Sequence, residues 1–366
     1  MEKNIYDIKE LGFIPPKYGG VSVSIARLID KLTEDGLLVG GFYSQENQDE
    51  RVLRSKLFDP ELNLSTKGFI FEYRRCKQIL SPYRVLHSHY SLEHMIYMWC
   101  FVQFLHKPLV ITIHNSMVKN FYCQSDAVNR FFLKRVANSS HVTWIAVSEQ
   151  AKDEMLKLPF KFKTPIQVIP AYIPDNRKEA GMLSSSLQAY IKRNERIIVF
   201  YGHSFMVHEG MDVYGFEDAL NLYAELTKKG NNKVGFVLCL AEAREKEKIE
   251  TLHQTAAHLG IDDKIYWQIG PLDNMKSLWN QTDVYIRPTC TDGDSVAVRE
   301  ALDLGVQVVA SDVCPRPERT ILYRFGDMSD FVGKVISAIE IGHVEADPDY
   351  SNYYKLKKIY TQLLNS

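Results

Sequence analysis

Short apolar runs alternate with stretches of helical period along most of this chain, in two series separated by a polar break, and this alternation limits the fold more than any single motif does. In the first series a helical period covers Val21 to Glu34 after a Gly-Gly turn, and residues 37–42, 83–89, 109–114, 142–147 and 166–170 read as strands. The second series has strand-like runs at 196–202, 234–240, 264–268, 283–287 and 307–311, with helical stretches at 217–227, 244–259 and 275–280 between them. Repeated strand-helix units build a parallel sheet wound with helices on both faces, because each strand must cross over before it can lie parallel to the last. The polar stretch 171–178 and the serines at 184–186 read as the linker between the two series. A length of 366 residues exceeds one ordinary core, so two α/β domains are expected.

The densest chemical information lies at 287–302, Arg-Pro-Thr-Cys-Thr-Asp-Gly-Asp-Ser-Val-Ala-Val-Arg-Glu-Ala-Leu. It runs from the end of a strand through a turn into a helix that Gly305 closes. Asp292 therefore falls in a loop at the carboxyl end of a parallel strand, where open α/β sheets hold ligands, and Glu300 falls on the helix that follows. Backbone amides at Ser295 and Val296 begin that helix and suit a phosphate. Two acids at this spacing are common in any charged chain, so the surrounding residues carry the argument.

Those residues resemble the acid-x7-acid motif of retaining glycosyltransferases of the GT-B fold, family 4. Asp292-Gly293 opens the motif, Glu300-Ala301 closes it, and Gly305-Val-Gln-Val-Val-Ala-Ser311 follows in register. Further pieces occur in the family's order: Pro15-Pro-Lys-Tyr-Gly19-Gly20, Thr112-Ile-His114-Asn115, and Ala146-Val-Ser148. The resemblance implies an α/β GT-B chain with two Rossmann-like domains facing a cleft. The expected boundaries are 1–175 for acceptor binding, 176–345 for the nucleotide-sugar donor, and 346–366 for a terminal helix crossing back to the first domain. It also implies roles. Asp292, Glu300 and His114 take the catalytic positions. Gly19, Gly20, His203, Ile269, Gly270, Leu272, Arg287, Gly293, Asp294, Ser295, Val296 and Arg299 line the donor.

The phosphate site departs from the family pattern. Where relatives carry Gly-Arg and a later Lys-Gly, this chain reads Gly202-His203 and Glu209-Gly210. A diphosphate leaving group needs cationic partners, so Arg299 is expected to replace the lost charge, with Arg287, His203 and His208 as the alternatives. Asp292-Gly-Asp294 has the form of the metal-holding Asp-x-Asp of the other main glycosyltransferase fold, but its place in a GT-B donor loop argues against that use, and no metal or cofactor is expected. His87 and His89 lie on one face of a strand, yet no third ligand is evident for a metal. No Gly-x-Gly-x-x-Gly follows the first strand, which disfavours a dehydrogenase.

The expected activity is transfer of a sugar from a nucleoside diphosphate to a saccharide or lipid-linked saccharide in surface polysaccharide assembly. The alternatives are a sugar-nucleotide-binding partner subunit without activity, or a nucleotide-sugar epimerase on the same fold. A composition of 45% hydrophobic and 24% charged residues, with net charge −1, fits a globular protein and suggests no nucleic-acid partner. The apolar run 95–105 is too short to span a bilayer, the start has no signal-peptide form, and a cytoplasmic location is expected. Basic residues mix with aromatic ones at 71–80 and 119–135, which suits peripheral contact with the inner membrane surface. Six cysteines without close pairs read as reduced thiols.

Overall fold

The computed structural model describes residues 5–15, 20–45, 47–62, 64, 67–90, 92–115, 118–175, 182–231, 233–242, 244–272, 275–292 and 295–366. Gly19, Gly293 and Asp294 lie outside the described residues. The chain forms two compact units, Met1–Asn176 with Asp349–Ser366, and Arg177–Pro348.

The first unit contains strands β1 (Tyr6–Phe13), β2 (Val39–Tyr43), β3 (Phe58–Pro60), β4 (Tyr83–Ser88), β5 (Leu109–Ile113), β6 (Val142–Ala146) and β7 (Ile166–Val168). Its helices are α1 (Gly20–Glu34), α2 (Glu50–Arg54), α3 (Phe69–Leu80), α4 (Met95–Phe104), α5 (Val118–Gln124), α6 (Ala127–Ala137) and α7 (Glu149–Leu156). All strands pair in parallel in the order β3-β2-β1-β4-β5-β6-β7. The order reverses between β1 and β4, and a crevice at such a switch point is where doubly wound sheets take ligands. Every residue of β5 is buried, as expected of a central parallel strand covered on both faces.

β1 does not follow that apolar rule. It places Lys9 and Glu10 in the middle of the sheet, both with no exposed surface, and alternation along the strand sends them to opposite faces. Lys9 Nζ meets Asp59 Oδ2 at 2.7 Å and the Leu57 carbonyl at 2.8 Å, over the rings of Phe42 and Tyr83. Burial lowers the Lys9 pKa to about 8 although Asp59 pushes it back up. The apolar runs in the sequence begin only after this strand, and its two charges conceal it.

The second unit contains helix α8 (Ser185–Lys192), then β8 (Arg196–Gly202), β9 (Val207–His208), β10 (Met211–Asp212), β11 (Val234–Leu240), β12 (Ile265–Ile269), β13 (Val284–Arg287), β14 (Gln307–Ser311) and β15 (Ile321–Tyr323). Its other helices are α9 (Phe216–Lys228), α10 (Lys246–His258), α11 (Met275–Trp279), α12 (Val296–Asp303) and α13 (Met328–Ile341). The main sheet is parallel, in the order β12-β11-β8-β13-β14-β15, with its switch point between β8 and β13. One face is covered by α9, α10 and α13 and the other by α8, α11 and α12. The serines read as linker instead start α8, where the Ser184 hydroxyl accepts from Leu187 N. Gly305 ends α12 with φ +83°, and a side chain there would strike the Val344 carbonyl at 1.8 Å.

The last helix, α14 (Ser351–Leu364), belongs to the first unit. It buries Tyr353, Leu356, Ile359, Tyr360 and Leu364 with α1 against Ile8, Val85, Val110 and Ile145. At about 1.5–3 kcal/mol per buried large apolar side chain, docking outweighs the marginal stability of an isolated helix of this length.

Candidate active site

Each unit gathers polar side chains at its switch point. In the second unit, β13 ends at Arg287, which is 7% exposed. Its guanidinium forks onto the carboxylate of Asp292, Nε to Oδ2 at 3.0 Å and Nη2 to Oδ1 at 3.1 Å. Arg316, beyond the end of β14, reaches the same carboxylate from another direction, Nη1 to Oδ2 at 2.6 Å. Its Nη2 also donates to Thr289 Oγ1 at 3.0 Å and its Nε to the Ser311 carbonyl at 3.3 Å. Burial opposes ionisation of Asp292, but the charges and hydrogen bonds of Arg287 and then Arg316 outweigh it, and its pKa is lowered. Two cations around one anion leave this cluster with a net positive charge. Arg287 also lies 5.1 Å over the ring of Tyr214 and donates to the Tyr201 carbonyl at the end of β8.

Ser295 caps α12, accepting from Val298 N at 3.4 Å, and Val296 is the first residue of that helix. Glu300, one turn further, accepts from the buried indole of Trp279 at 3.4 Å. Arg299 is half-buried on the same helix. His203 follows β8, and Ile269 and Gly270 follow one another at the end of β12, Gly270 with φ +100°. Leu272 is half-buried against the face carrying α12. Glu209 and Gly210, where a lysine was expected, form the tip of the β9–β10 hairpin with φ +51° and +82°.

In the first unit, Gly20 is the exposed first residue of α1, and His114 directly follows β5. His114 lines a cavity of about 30 Å³ together with His87, His89, Thr112, Ser24 and Asn352, room for one or two water molecules. Glu10 and His87 are register partners on β1 and β4. Glu10 Oε2 lies 2.7 Å from His89 Nε2 and 2.9 Å from His87 Nδ1, so the fold supplies the third group that sequence reasoning could not find beside the two histidines. These three ligand atoms lie within 4.8 Å of one another. The two separations from Glu10 are hydrogen-bond lengths, and a metal bound at about 2.0–2.2 Å to each ligand would have to push the carboxylate and the rings apart. The cluster is a hydrogen-bonded network as it stands. Burial opposes Glu10 ionisation, yet His87 and His89 lower its pKa to about 2. Burial and then His87 lower His89 to about 4 against the pull of Glu10, and burial and the neighbouring histidines push His114 well below its usual value.

The structure thus joins Arg287 to Asp292 and sets Val296, Arg299 and Glu300 on one short helix that Ser295 caps. Sequence reasoning missed Arg316, Glu10 and Tyr360. Arg316 carried a usable signal, since Pro315-Arg316-Pro317 sits one loop beyond a strand end next to the motif.

Residues 18–177 match the family model described as Glycosyltransferase Family 4. The chain carries a glycosyltransferase family 4 domain. Solved structures extend the likeness over its whole length. A glycosyltransferase from Rickettsia africae ESF-5 aligns at TM-score 0.70 and 14% identity, over 99% of this chain and 99% of that one. HepE from Anabaena, crystallised with UDP and glucose, aligns at 0.63 and 14%, over 98% of this chain and 100% of that one. WaaG, a glycosyltransferase involved in lipopolysaccharide biosynthesis, aligns at 0.57 and 13%, over 98% and 95%. At such identities the likeness shows the fold, which is GT-B. A search of curated proteins found no match. The family match over residues 18–177 supports a transferase. Among the described residues, no helix of this glycosyltransferase is long and apolar enough to cross a membrane.

Proposed function

We propose that this glycosyltransferase moves a sugar from a uridine diphosphate donor to a saccharide or lipid-linked saccharide, with retention at the anomeric carbon and without a metal ion. The observation that carries the reading is the net positive Arg287–Asp292–Arg316 cluster at the switch point of the second unit, with Arg287 and Asp292 on the segment that leads into the amides that begin α12. Preorganised cations there stabilise charge as it develops on a departing diphosphate. Arg287 and Arg316 take the part of the arginine and lysine that this chain lacks at His203 and Glu209. Glu300 accepts hydrogen bonds from ribose hydroxyls, the amides of Ser295 and Val296 cap the diphosphate, and main chain at Ile269, Gly270 and Leu272 reads the base. Both oxygens of Asp292 are engaged by arginines, so its role is to anchor two cations. In a retaining step on one face of the sugar, the departing diphosphate takes the acceptor proton. His114 and its cavity receive a sugar hydroxyl.

Metal independence is supported by the same cluster, since a dication beside two guanidinium groups is repelled. The choice of uridine is supported by the UDP and UDP-glucose complexes of HepE, and a role in surface polysaccharide assembly by the stated role of WaaG. Contact with an anionic membrane surface is supported by exposed Ile70 and Phe71 beside Arg74 and Arg75 on α3, and by exposed Phe131 beside Lys134 and Arg135 on α6.

The test is a thermal-shift panel with UDP, GDP, ADP, TDP and CMP, each with and without EDTA. A ligand at 100 times its Kd stabilises by about 2.7 kcal/mol. The expected result is a shift with UDP that EDTA leaves unchanged and Glu300→Ala removes. No shift with any nucleotide would overturn the donor site, whereas a shift with UDP and no turnover of UDP-glucose with any acceptor would favour a sugar-nucleotide-binding partner subunit without activity. With UDP-glucose and an acceptor, an inverted product anomer by NMR would refute retention.

A further inference from the structure

Six polar side chains close on one another beneath the switch point of the first unit, drawn from β1, β4, β5, the residues just after β4 and β5, and α14. Besides the Glu10 contacts to His87 and His89, Tyr360 Oη lies 3.0 Å from Glu10 Oε1 and 2.6 Å from His87 Nδ1. His87 Nε2 lies 2.8 Å from Thr112 Oγ1, and His89 Nδ1 lies 2.9 Å from His114 Nε2. Burial keeps the His89 and His114 rings neutral at neutral pH and Glu10 is ionised, so a chain of donors follows from the contacts. A carboxylate only accepts, so Tyr360 and His89 Nε2 donate to Glu10. With its proton committed, Tyr360 Oη accepts from His87 Nδ1. His89 Nδ1 is then an acceptor, and His114 Nε2 is its donor.

We propose that Glu10, His89 and Tyr360 are positioning residues that hold the proton of His114 on Nε2 and leave its Nδ1 as a standing acceptor for a hydroxyl. The second ring nitrogen of a histidine is set by what the first one bonds, and here that partner is backed by a buried carboxylate with donors of its own. An acceptor nitrogen beside a water-sized cavity suits a hydroxyl and repels a phosphate oxygen, so the site selects the uncharged part of a donor or acceptor. That last step rests on the glycosyltransferase reading; the proton arrangement does not.

The test is the imidazole nitrogen-proton NMR spectrum of the full-length chain without ligand, with His114 and His89 signals assigned by their loss in His114→Gln and His89→Gln. The expected result is His114 as the Nε2–H tautomer throughout the neutral range. Glu10→Gln, which removes the carboxylate charge, is expected to mix the tautomers of both histidines. If that variant does not fold, Tyr360→Phe keeps the ring and removes only the donor, and is expected to shift the His89 and His114 signals in the same direction. A wild-type His114 that is protonated at Nδ1 or titrates near 6.5, or a folded Glu10→Gln with unchanged His114 signals, would overturn the proposal. So would zinc displacing the His89 Nε2 proton, which would make the cluster a metal site. A wild-type spectrum of the expected form in a protein that turns over no UDP-sugar would leave the relay standing and remove the transferase reading.

Discussion

Asp292 and Arg316 show how far a residue's neighbours decide its use. On the proposed reading, a motif acid with two guanidinium groups on its carboxylate serves as their counter-ion, and removing its charge strips two buried cations of that partner. Asp292→Asn is therefore expected to destabilise the second unit by about 3–5 kcal/mol, measured by denaturant titration. Arg316→Met removes one cation and is expected to weaken UDP binding by roughly tenfold to a hundredfold, the worth of a charge-assisted bond; isothermal titration with unchanged affinity would exclude Arg316 from the diphosphate site. His89 gives a pH prediction. Its pKa falls from 6.5 to about 4 on folding, so between those values the unfolded chain binds more protons and stability rises with pH. Acidification through that window should destabilise the first unit, and His89→Gln should flatten the slope of the denaturation midpoint against pH. Glu10 escaped notice in the sequence because a buried charge looks the same in one dimension as a solvated one, whereas Arg316 had a signal in its flanking prolines that went unread.

Elements with continuous apolar character were legible. The runs behind β4, β5, β6, β8, β11, β13 and β14 announced themselves, and so did the strand-turn-helix joining Arg287 to Glu300. The edge strands β3 and β15 are three residues each, too short for a period to register. β1 was hidden by Lys9 and Glu10, although its neighbours Ile8 and Leu11 are buried. Lys9 can be tested alone. Its folded pKa of about 8 lies below the ordinary 10.5, so the charged form is disfavoured by folding and stability rises as pH climbs from 8 to 10.5. Lys9→Met should lack that rise. The terminal helix contributes in two ways, by apolar burial and by the Tyr360 hydroxyl. Tyr360→Phe is expected to cost about 1–3 kcal/mol, the penalty for leaving a buried acceptor short of a donor, seen in thermal or chemical denaturation.

At the scale of the molecule, the two parallel sheets were legible from the two series of runs, and the sharing of α14 with the first unit followed from family resemblance alone. Periodicity identifies a helix and its apolar face but is silent on which sheet that face will meet. The five large side chains that α14 buries amount to on the order of 10 kcal/mol, comparable to the net stability of a whole domain. A chain ending at residue 348 should therefore lose the first unit's unfolding transition in calorimetry while keeping the second unit's. The same arrangement has a consequence for synthesis. Domains emerge from the ribosome amino end first, yet the first unit here cannot close until Asp349–Ser366 have followed the second unit out. Until then Glu10 waits without the hydroxyl of Tyr360, 350 positions further on, and a chain whose synthesis stops within the second unit keeps a β1 that never receives this partner.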